Sequence, residues 1–408
     1  MRKYLVIMLV LACLGSLFGA QIFVVNSDSR TLSRIDTASS AVNNSFAQLG
    51  LTPNRMLIQN DEIYVVCSGA NSIQVFSRIS GAILDDIFIA GSSNPWDLAG
   101  EGDHLYVTGY FTNKVYKVHR ASSSVVASVN VGVSPEGMAI VGGKLYVGNT
   151  GGYASGYANS SVSVIDLNSF SVIKTIPVWT NPQDLQAYGN EIHVACTGNW
   201  ASISGAIDII DTTIDEQTDR ILTGGNPWSL WINPSGIAFI GEGYNSGVYS
   251  YNAVSHTLLH GYDNPLNPGA VAVHGSANAT ALLSANWGAN GTVYLQDGAW
   301  NTIGQYTVGL LPTDLWLWEP GSAAEDELQP QSTLQIYPNP LSRNGILQVQ
   351  SDGKTAGDFC LYNLKGQKVL QQRLDKGSLS LPLQQLKLNP GLYFYRAGSK
   401  QSGKLIVY

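Results

Sequence analysis

Asn94–Val107 reads NPWDLAGEGDHLYV: a proline after a polar residue, a short apolar run, a Gly-containing turn, then an aromatic-Val strand. The same order returns at Thr52–Val65 (TPNRMLIQNDEIYV), Ser134–Val147 (SPEGMAIVGGKLYV) and Asn181–Val194 (NPQDLQAYGNEIHV). Asn226–Phe239 (NPWSLWINPSGIAF) and Asn267–Gly275 (NPGAVAVHG) are looser copies, and Leu311–Trp318 (LPTDLWLW) holds the opening phrase alone. Pro53, Pro95, Pro135, Pro182, Pro227, Pro268 and Pro312 therefore stand 42, 40, 47, 45, 41 and 44 residues apart. A period of this size marks a propeller, a solenoid or an array.

The pattern inside one unit chooses among these. Apolar residues alternate with polar ones, in runs bounded by Gly, Asn and Asp, whereas a helical repeat would place them three and four apart. In the third unit the spacing predicts strands near Gly137–Val141, Lys144–Gly148, Ser161–Asp166 and Ser171–Pro177, with a hairpin turn at Gly142-Gly143. Four short strands per period make one propeller blade. From Gln21, IFVVNS, TLSRID and Val42–Gln48 supply strands two to four of a unit without strand one, and Thr313–Trp318 is a strand one without the rest. Joined, they complete a seventh blade and close the ring, which removes exposed sheet edges.

Composition agrees with an all-β chain. Only 12% of the 408 residues are charged and 43 are Gly, so long amphipathic helices have little to be built from. The formal net charge of −7 falls to −9 once Arg2 and Lys3 leave with the leader. No Lys/Arg cluster invites nucleic acid or anionic lipid. Residues 1–20 read as a secretory signal: Arg2-Lys3, the apolar run Tyr4–Leu14, then small residues to Ala20. A rival reading takes Val10-Leu11-Ala12-Cys13 as a lipoprotein box. No later segment is apolar enough to span a membrane. Cys67 and Cys196 hold the same position in separate repeats, too far apart on a ring for a disulfide, so both are expected as buried thiols.

PEGMAIVGGKLYVGNT, SVSVIDLNSFSVIKTI and the glycines three residues before Pro53, Pro135, Pro227 and Pro312 resemble YVTN-type repeats. These occur in surface-layer-like secreted seven-bladed propellers; the likeness covers residues 21–319 and implies a fold but no activity. Glu319–Ser332 (EPGSAAEDELQPQS) has linker composition, and the linker is set at 320–332. Residues 333–408 then resemble the C-terminal sorting domain, type A, of type IX secretion cargo. Tyr337-Pro338-Asn339-Pro340, Gly366, Pro390-Gly391 with Tyr393, and Lys404 carry that likeness. It implies a small Ig-like β-sandwich read by the type IX translocon, with cargo released or attached to the cell surface.

In a propeller, the links between blades and the loops between strands two and three open on one face. The links carry Trp96, Trp179 and Trp228; the loops carry Tyr110, Phe111, Trp200, Tyr244 and Trp287. Aromatic rings beside amides suit sugar rings and protein partners alike. Two residues past each proline stand Arg55, Asp97, Gly137, Asp184, Ser229, Ala270 and Asp314, and the carboxylates of Asp97, Asp184 and Asp314 are candidates for Ca²⁺ or for capping strand ends. The histidines fall at unrelated repeat positions, and no nucleophile elbow, zincin helix or Cys-x-x-Cys pair is present. Glu136, Glu242, Asn149 and Asn199 keep a channel hydrolase or lyase, lactonase-like and metal-dependent, open as an alternative. A structural coat subunit is a second alternative. The leading reading is a secreted, surface-attached propeller that binds a glycan or protein ligand, with no catalytic residue, metal or cofactor assigned.

Overall fold

The computed structural model describes residues 19–320 apart from residue 287, and, towards the C-terminus, 335–337, 342, 345–350, 357–363, 367–374, 378–382, 384, 388, 390–397 and 401–407. Most of the leader (1–18, with Cys13), Trp287, most of the linker, Pro338, Asn339, Pro340 and Gly366 lie outside the described residues. The chain divides into two compact units, residues 1–325 and 326–408.

The first unit is a seven-bladed propeller. Pro53–Gln59, Glu62–Cys67, Ser72–Ser77 and Ile83–Phe88 form blade 1, and Pro95–Glu101, His104–Gly109, Lys114–His119 and Ser124–Asn130 form blade 2. Blade 3 runs through Pro135–Val141, Lys144–Asn149, Ser161–Asp166 and Ser171–Pro177, and blade 4 through Pro182–Tyr188, Glu191–Cys196, Ala206–Asp211 and Glu216–Leu222. Blade 5 is Pro227–Ile232, Ile237–Glu242, Val248–Asn252 and Thr257–His260; blade 6 is Ala272–Gly275, Ala279–Ser284, Asn290–Asp297 and Thr302–Leu310. Blade 7 takes its inner strand, Pro312–Trp318, from the far end of the ring sequence and its outer three, Gln21–Asn26, Thr31–Asp36 and Ala41–Gln48, from the near end. Within it, Val24 faces Leu315 and Gln21 faces Trp318. The inner strands touch one another in order around the channel, and that of blade 7 touches that of blade 1.

The core is divided accordingly. Among the described residues, seven apolar clusters of the ring each lie between two neighbouring blades, such as Tyr64, Val66, Leu98, Leu105 and Val107 between blades 1 and 2. Second strands are covered on both faces and so read as near-continuous apolar runs, as in EIYVVC, whereas the outermost strand SVVASVN alternates and is wet on one side. Cys67 and Cys196 are buried free thiols.

The repeated proline has a physical reason. Its fixed φ and missing N–H suit the first position of a strand, where no ladder donor is needed. The residue before it takes a left-handed conformation at Thr52, Asn94, Ser134, Asn181 and Leu311, with φ between 45° and 64°. Its carbonyl then accepts the N–H just beyond the second strand: Ser68 to Thr52 at 2.9 Å, Tyr110 to Asn94 at 3.1 Å, Thr150 to Ser134 at 3.1 Å and Thr197 to Asn181 at 2.9 Å. The turn Gly142-Gly143 has φ of 59° and 74°, as a type I′ hairpin demands. The glycine three residues before Pro135 is needed for space, since a Cβ on Gly132 would stand 2.5 Å from the Asn149 amide.

Blade 6 departs from the expected register. Its inner strand starts at Ala272, not at Pro268, which follows a cis peptide bond. Ala270 pairs instead with blade 5, where Glu242 N–H donates to Ala270 O at 2.7 Å and Ala270 N–H to Gly247 O at 3.5 Å, and Val271 N–H then donates to Leu283 O of blade 6 at 2.8 Å.

The second unit has a three-stranded sheet (Gln335–Tyr337, Ile346–Gln350, Ser378–Pro382) and a four-stranded sheet (Lys368–Leu374, Gly357–Tyr362, Gly391–Ala397, Gln401–Val407). They share a core of Leu347, Val349, Phe359, Leu361, Tyr393 and Leu405. Pro390 leads into the strand opened by Gly391, and Lys404 lies in the last strand.

Candidate functional site

Two rings of side chains surround one mouth of the channel. Two residues past the proline, Arg55 lies 3.8 Å from both Asp184 and Asp314, with side-chain exposures of 14%, 17% and 12%. Each aspartate in this ring also reaches across to the next blade. Asp314 accepts Met56 N–H at 2.8 Å, Asp97 accepts Met138 N–H at 3.0 Å, and Asp184 accepts Leu230 N–H at 2.9 Å. A bulge interrupts pairing just after each of these blades' prolines, between Pro53 and Met56, Pro135 and Met138, and Pro227 and Ser229, and the N–H groups of Met56, Met138 and Leu230 beside it take an outside acceptor. The carboxylates are thus spent as inter-blade caps. Among the described residues no group of three or more His, Cys, Asp or Glu is placed to hold a metal ion.

This enclosed ring is short of positive charge. Burial raises Asp97 to about 7 and Asp314 to about 6, with Arg55 pulling the other way, and burial raises Asp184 as well. Burial disfavours the charge on Arg55, but Asp184, Asp314, Asp97 and Glu136 together outweigh it and hold the guanidinium more firmly protonated than usual.

One residue past the proline the ring reads Asn54, Trp96, Glu136, Gln183, Trp228, Gly269 and Thr313. On blades 1 and 7 these side chains latch backbone: Asn54 donates to Trp96 O at 3.4 Å and Thr313 to Asn54 O at 2.8 Å. On blades 3 and 4 they are buried and face each other. Gly137 lets the two inner strands meet, since a Cβ there would stand 2.6 Å from Gln183 O and 2.8 Å from Asp184 Cα. Burial lifts the Glu136 carboxyl to about 8, against the opposing effects of the Gln183 amide, Arg55 and the Trp96 indole N–H.

Above this ring the aromatic side chains join into an arc. Trp96 packs on Tyr110 with centroids 5.4 Å apart, and Tyr110 on Phe111 at 5.4 Å. Trp200 packs on Trp228 at 5.6 Å and edge-on to Tyr244 at 5.2 Å. Tyr157 lies between these groups, hydrogen-bonded to Trp200 and close enough to Glu136 and Tyr110 to feel their charge. Phe111 is 66% exposed and Tyr244 65%, while Trp96, Tyr110, Tyr157, Trp200 and Trp228 are half-buried. Tyr157 and its neighbour Tyr153 come from the longest loop between second and third strands, residues 150–160, which the sequence reading passed over.

Trp179 stands apart from the arc. Its N–H donates to Asp208 Oδ2 at 2.7 Å, its indole to Ser204 O at 2.8 Å, and Arg220 lies 4.6 Å over its ring. Of the four residues that kept hydrolysis open, Glu242, Asn149 and Asn199 are engaged within their own blades, and Glu136 is not. Glu242 Oε2 accepts Tyr244 N–H, Ser246 N–H and the Ser246 hydroxyl at 2.8–3.1 Å. Asn149 donates to Ser161 and Ser163, and Asn199 accepts Ala201 and Ile203 N–H.

Residues 335–408 match the family described as "Secretion system C-terminal sorting domain". The tail is thus a type IX secretion sorting domain, and it implies export, to the cell surface or beyond. No helix of the described residues is long and apolar enough to cross a membrane. No curated protein matches the chain. Among solved structures, hydrazine synthase of Kuenenia stuttgartiensis is similar, with 14% identity, a TM-score of 0.53, and coverage of 64% of this chain and 88% of that one. A computationally designed protein, Ika8, aligns at 11% identity and a TM-score of 0.45 over 87% of this chain and 96% of its own. The hydrazine synthase likeness speaks to fold alone.

Proposed function

We propose that the chain is a surface-displayed or released binding module, exported through its sorting domain, with the aromatic arc over blades 2–5 as its ligand-binding face. The two groups of rings at one mouth, with Tyr157 between them, carry this reading. Side chains of a folded ring are otherwise used up between blades, and here seven aromatics are gathered where they cover little core. Trp and Tyr lose little conformational freedom on binding and offer both apolar area and a polar tip. The type A sorting class, a YVTN-type ancestry and removal of residues 1–20 belong to the same proposal. Hydrolysis in the channel draws less support, because Glu242, Asn149 and Asn199 are engaged within their own blades, which leaves Glu136 alone of the four.

A glycan array and a pull-down from surface extracts, run with wild type and with Trp200→Ala, test the arc. Wild-type capture of a glycan or a protein, weakened at least about tenfold by the substitution, is expected for a central aromatic contact. Equal capture by both proteins would remove the arc as the binding face.

A further inference from the structure

We infer that the mouth over blades 3 and 4 is a pocket for one ring of a neutral saccharide, with Glu136 and Gln183 as its polar floor and Trp96 and Trp228 as its flanks. The inference rests on the arc being the ligand face and narrows it to one ligand chemistry.

The floor is an unfinished hydrogen-bond network. Glu136 and Gln183 are each 4% exposed, and Glu136 Oε2 and Gln183 Oε1 have no hydrogen-bond partner. Gln183 spends its amide N–H on Asn181 Oδ1 at 2.7 Å, which fixes the orientation of its oxygen. A buried polar oxygen left unpaired costs about 1–3 kcal/mol, and the protonated Glu136 carboxyl beside the Gln183 oxygen presents both a donor and acceptors, which ligand hydroxyls, donors and acceptors at once, can match. Vicinal hydroxyls of a pyranose supply, from one rigid ring, a donor for Gln183 Oε1 and a donor-acceptor for the Glu136 carboxyl. The apolar faces of that ring suit the indoles on either side, one position along the same ring of the mouth. Blades 7 and 1 satisfy the same position with backbone latches and blade 6 has Gly269 there, so one residue past the proline, among the described residues, only blades 3 and 4 hold orphaned oxygens; Asn26, Ser72, Asn149, Ser229, Asn245 and Tyr249 hold others elsewhere in the ring.

Charge selects a neutral ligand. Burial keeps Glu136 largely protonated near neutral pH, which leaves the floor uncharged. The guanidinium of Arg55 lies close enough to influence it, so a ligand ammonium would meet an existing cation.

The full chain is first exposed to an array of neutral cello-, malto-, manno- and chito-oligosaccharides. The best-bound oligosaccharide is then titrated by tryptophan fluorescence, with choline titrated as the cationic control. Gln183→Leu and Glu136→Leu should each weaken saccharide binding at least about tenfold, as a site built to pair hydroxyls discriminates. Glu136→Gln keeps shape and one acceptor and should lose less, and thermal unfolding of each variant shows that the ring persists. If Trp200→Ala loses the saccharide while all three floor variants keep wild-type affinity, the floor is wrong and the arc stands. If choline binds and Glu136→Gln abolishes it, or if only a protein is captured, the saccharide assignment falls and the arc again stands. If no oligosaccharide, choline or protein binds, both fall.

Discussion

The two rings at the channel mouth are one residue apart in every repeat, and over blades 2 to 5 they are put to different uses. Arg55, Asp97, Asp184 and Asp314 are spent between blades: each aspartate completes the backbone of the neighbour, and Arg55 balances two of them. Trp96, Glu136, Gln183 and Trp228 face the opening with two oxygens unpaired and the indoles half covered. A position whose polar atoms are all matched inside the chain is accounted for by folding. One whose polar atoms are buried and unmatched is not, and a ligand is then the economical explanation.

Replacing Arg55 by Met should break the inner ring hardest, because it leaves several enclosed carboxyls without a cation. About 3 kcal/mol is expected at alkaline pH from loss of one partner of an enclosed pair. The sign follows from protons bound. Unfolded carboxyls titrate near 4, but Asp314, Asp97 and Glu136 titrate at about 6, 7 and 8 in the fold. Their contribution to stability is complete below about 4 and fades as pH climbs through 6 to 8. Without Arg55 the folded values climb further and the loss continues to higher pH. Chemical denaturation at pH 5 and pH 9 should therefore show a larger wild-type advantage at pH 9. His193 and His274, which burial holds near 3, add stability as pH climbs from about 3 to about 6.5 and nothing further above it, and they do so in both proteins and cancel in the difference. An advantage equal at both pH values would mean that the ring is not held by this charge balance.

Asp314→Ala removes one cap and one ion pair but leaves Arg55 paired with Asp184, and about 2 kcal/mol of stability should go. Denaturant midpoints of wild type and variant read this directly, and no change would cancel the contrast between the rings. The smallest effect is expected at Trp179→Leu. Trp179 sits under Arg220 away from the arc, so ligand affinity should stay within about twofold, as for contacts outside a hot spot, while stability drops slightly. A tenfold loss of affinity would extend the binding face beyond the arc.

The ring was readable because packing repeats. Counterparts of Leu98, Tyr106 and Val107 return from unit to unit since every blade must fill the same gap, and the proline returns since six of the seven inner strands begin at it. The third unit's last two strands fall where alternation places them, Ser161–Asp166 and Ser171–Pro177. Pro268 misled because its segment pairs with a loop of the preceding blade, a contact that period alone does not encode. The aspartate ring was visible as a pattern, but its partners were backbone N–H groups of another blade, exposed by bulges that leave no mark on residue type. Trp179 looked like Trp96 and Trp228 until Arg220 and Ser204 claimed it. Tyr157 was missed because it lies in an irregular loop. Reading one residue past every proline, across the repeats, would have put Glu136 beside Gln183.

Blade 7 is sewn from both ends of the ring, and this bears on the order of assembly. Until Pro312–Trp318 arrives, the sheet Gln21–Gln48 has an open inner edge and six blades form an arc that cannot shut. The closing contacts, Val24 with Leu315 among them, are the most distant in sequence that the ring makes, so closure waits on the slowest loop. Gln21 and Trp318 are register partners, so a short connector could join them in a circular permutant opened between blades 7 and 1. Such a chain would build every blade from consecutive strands and should refold faster, which would make ring closure the kinetic step that the natural order of strands imposes.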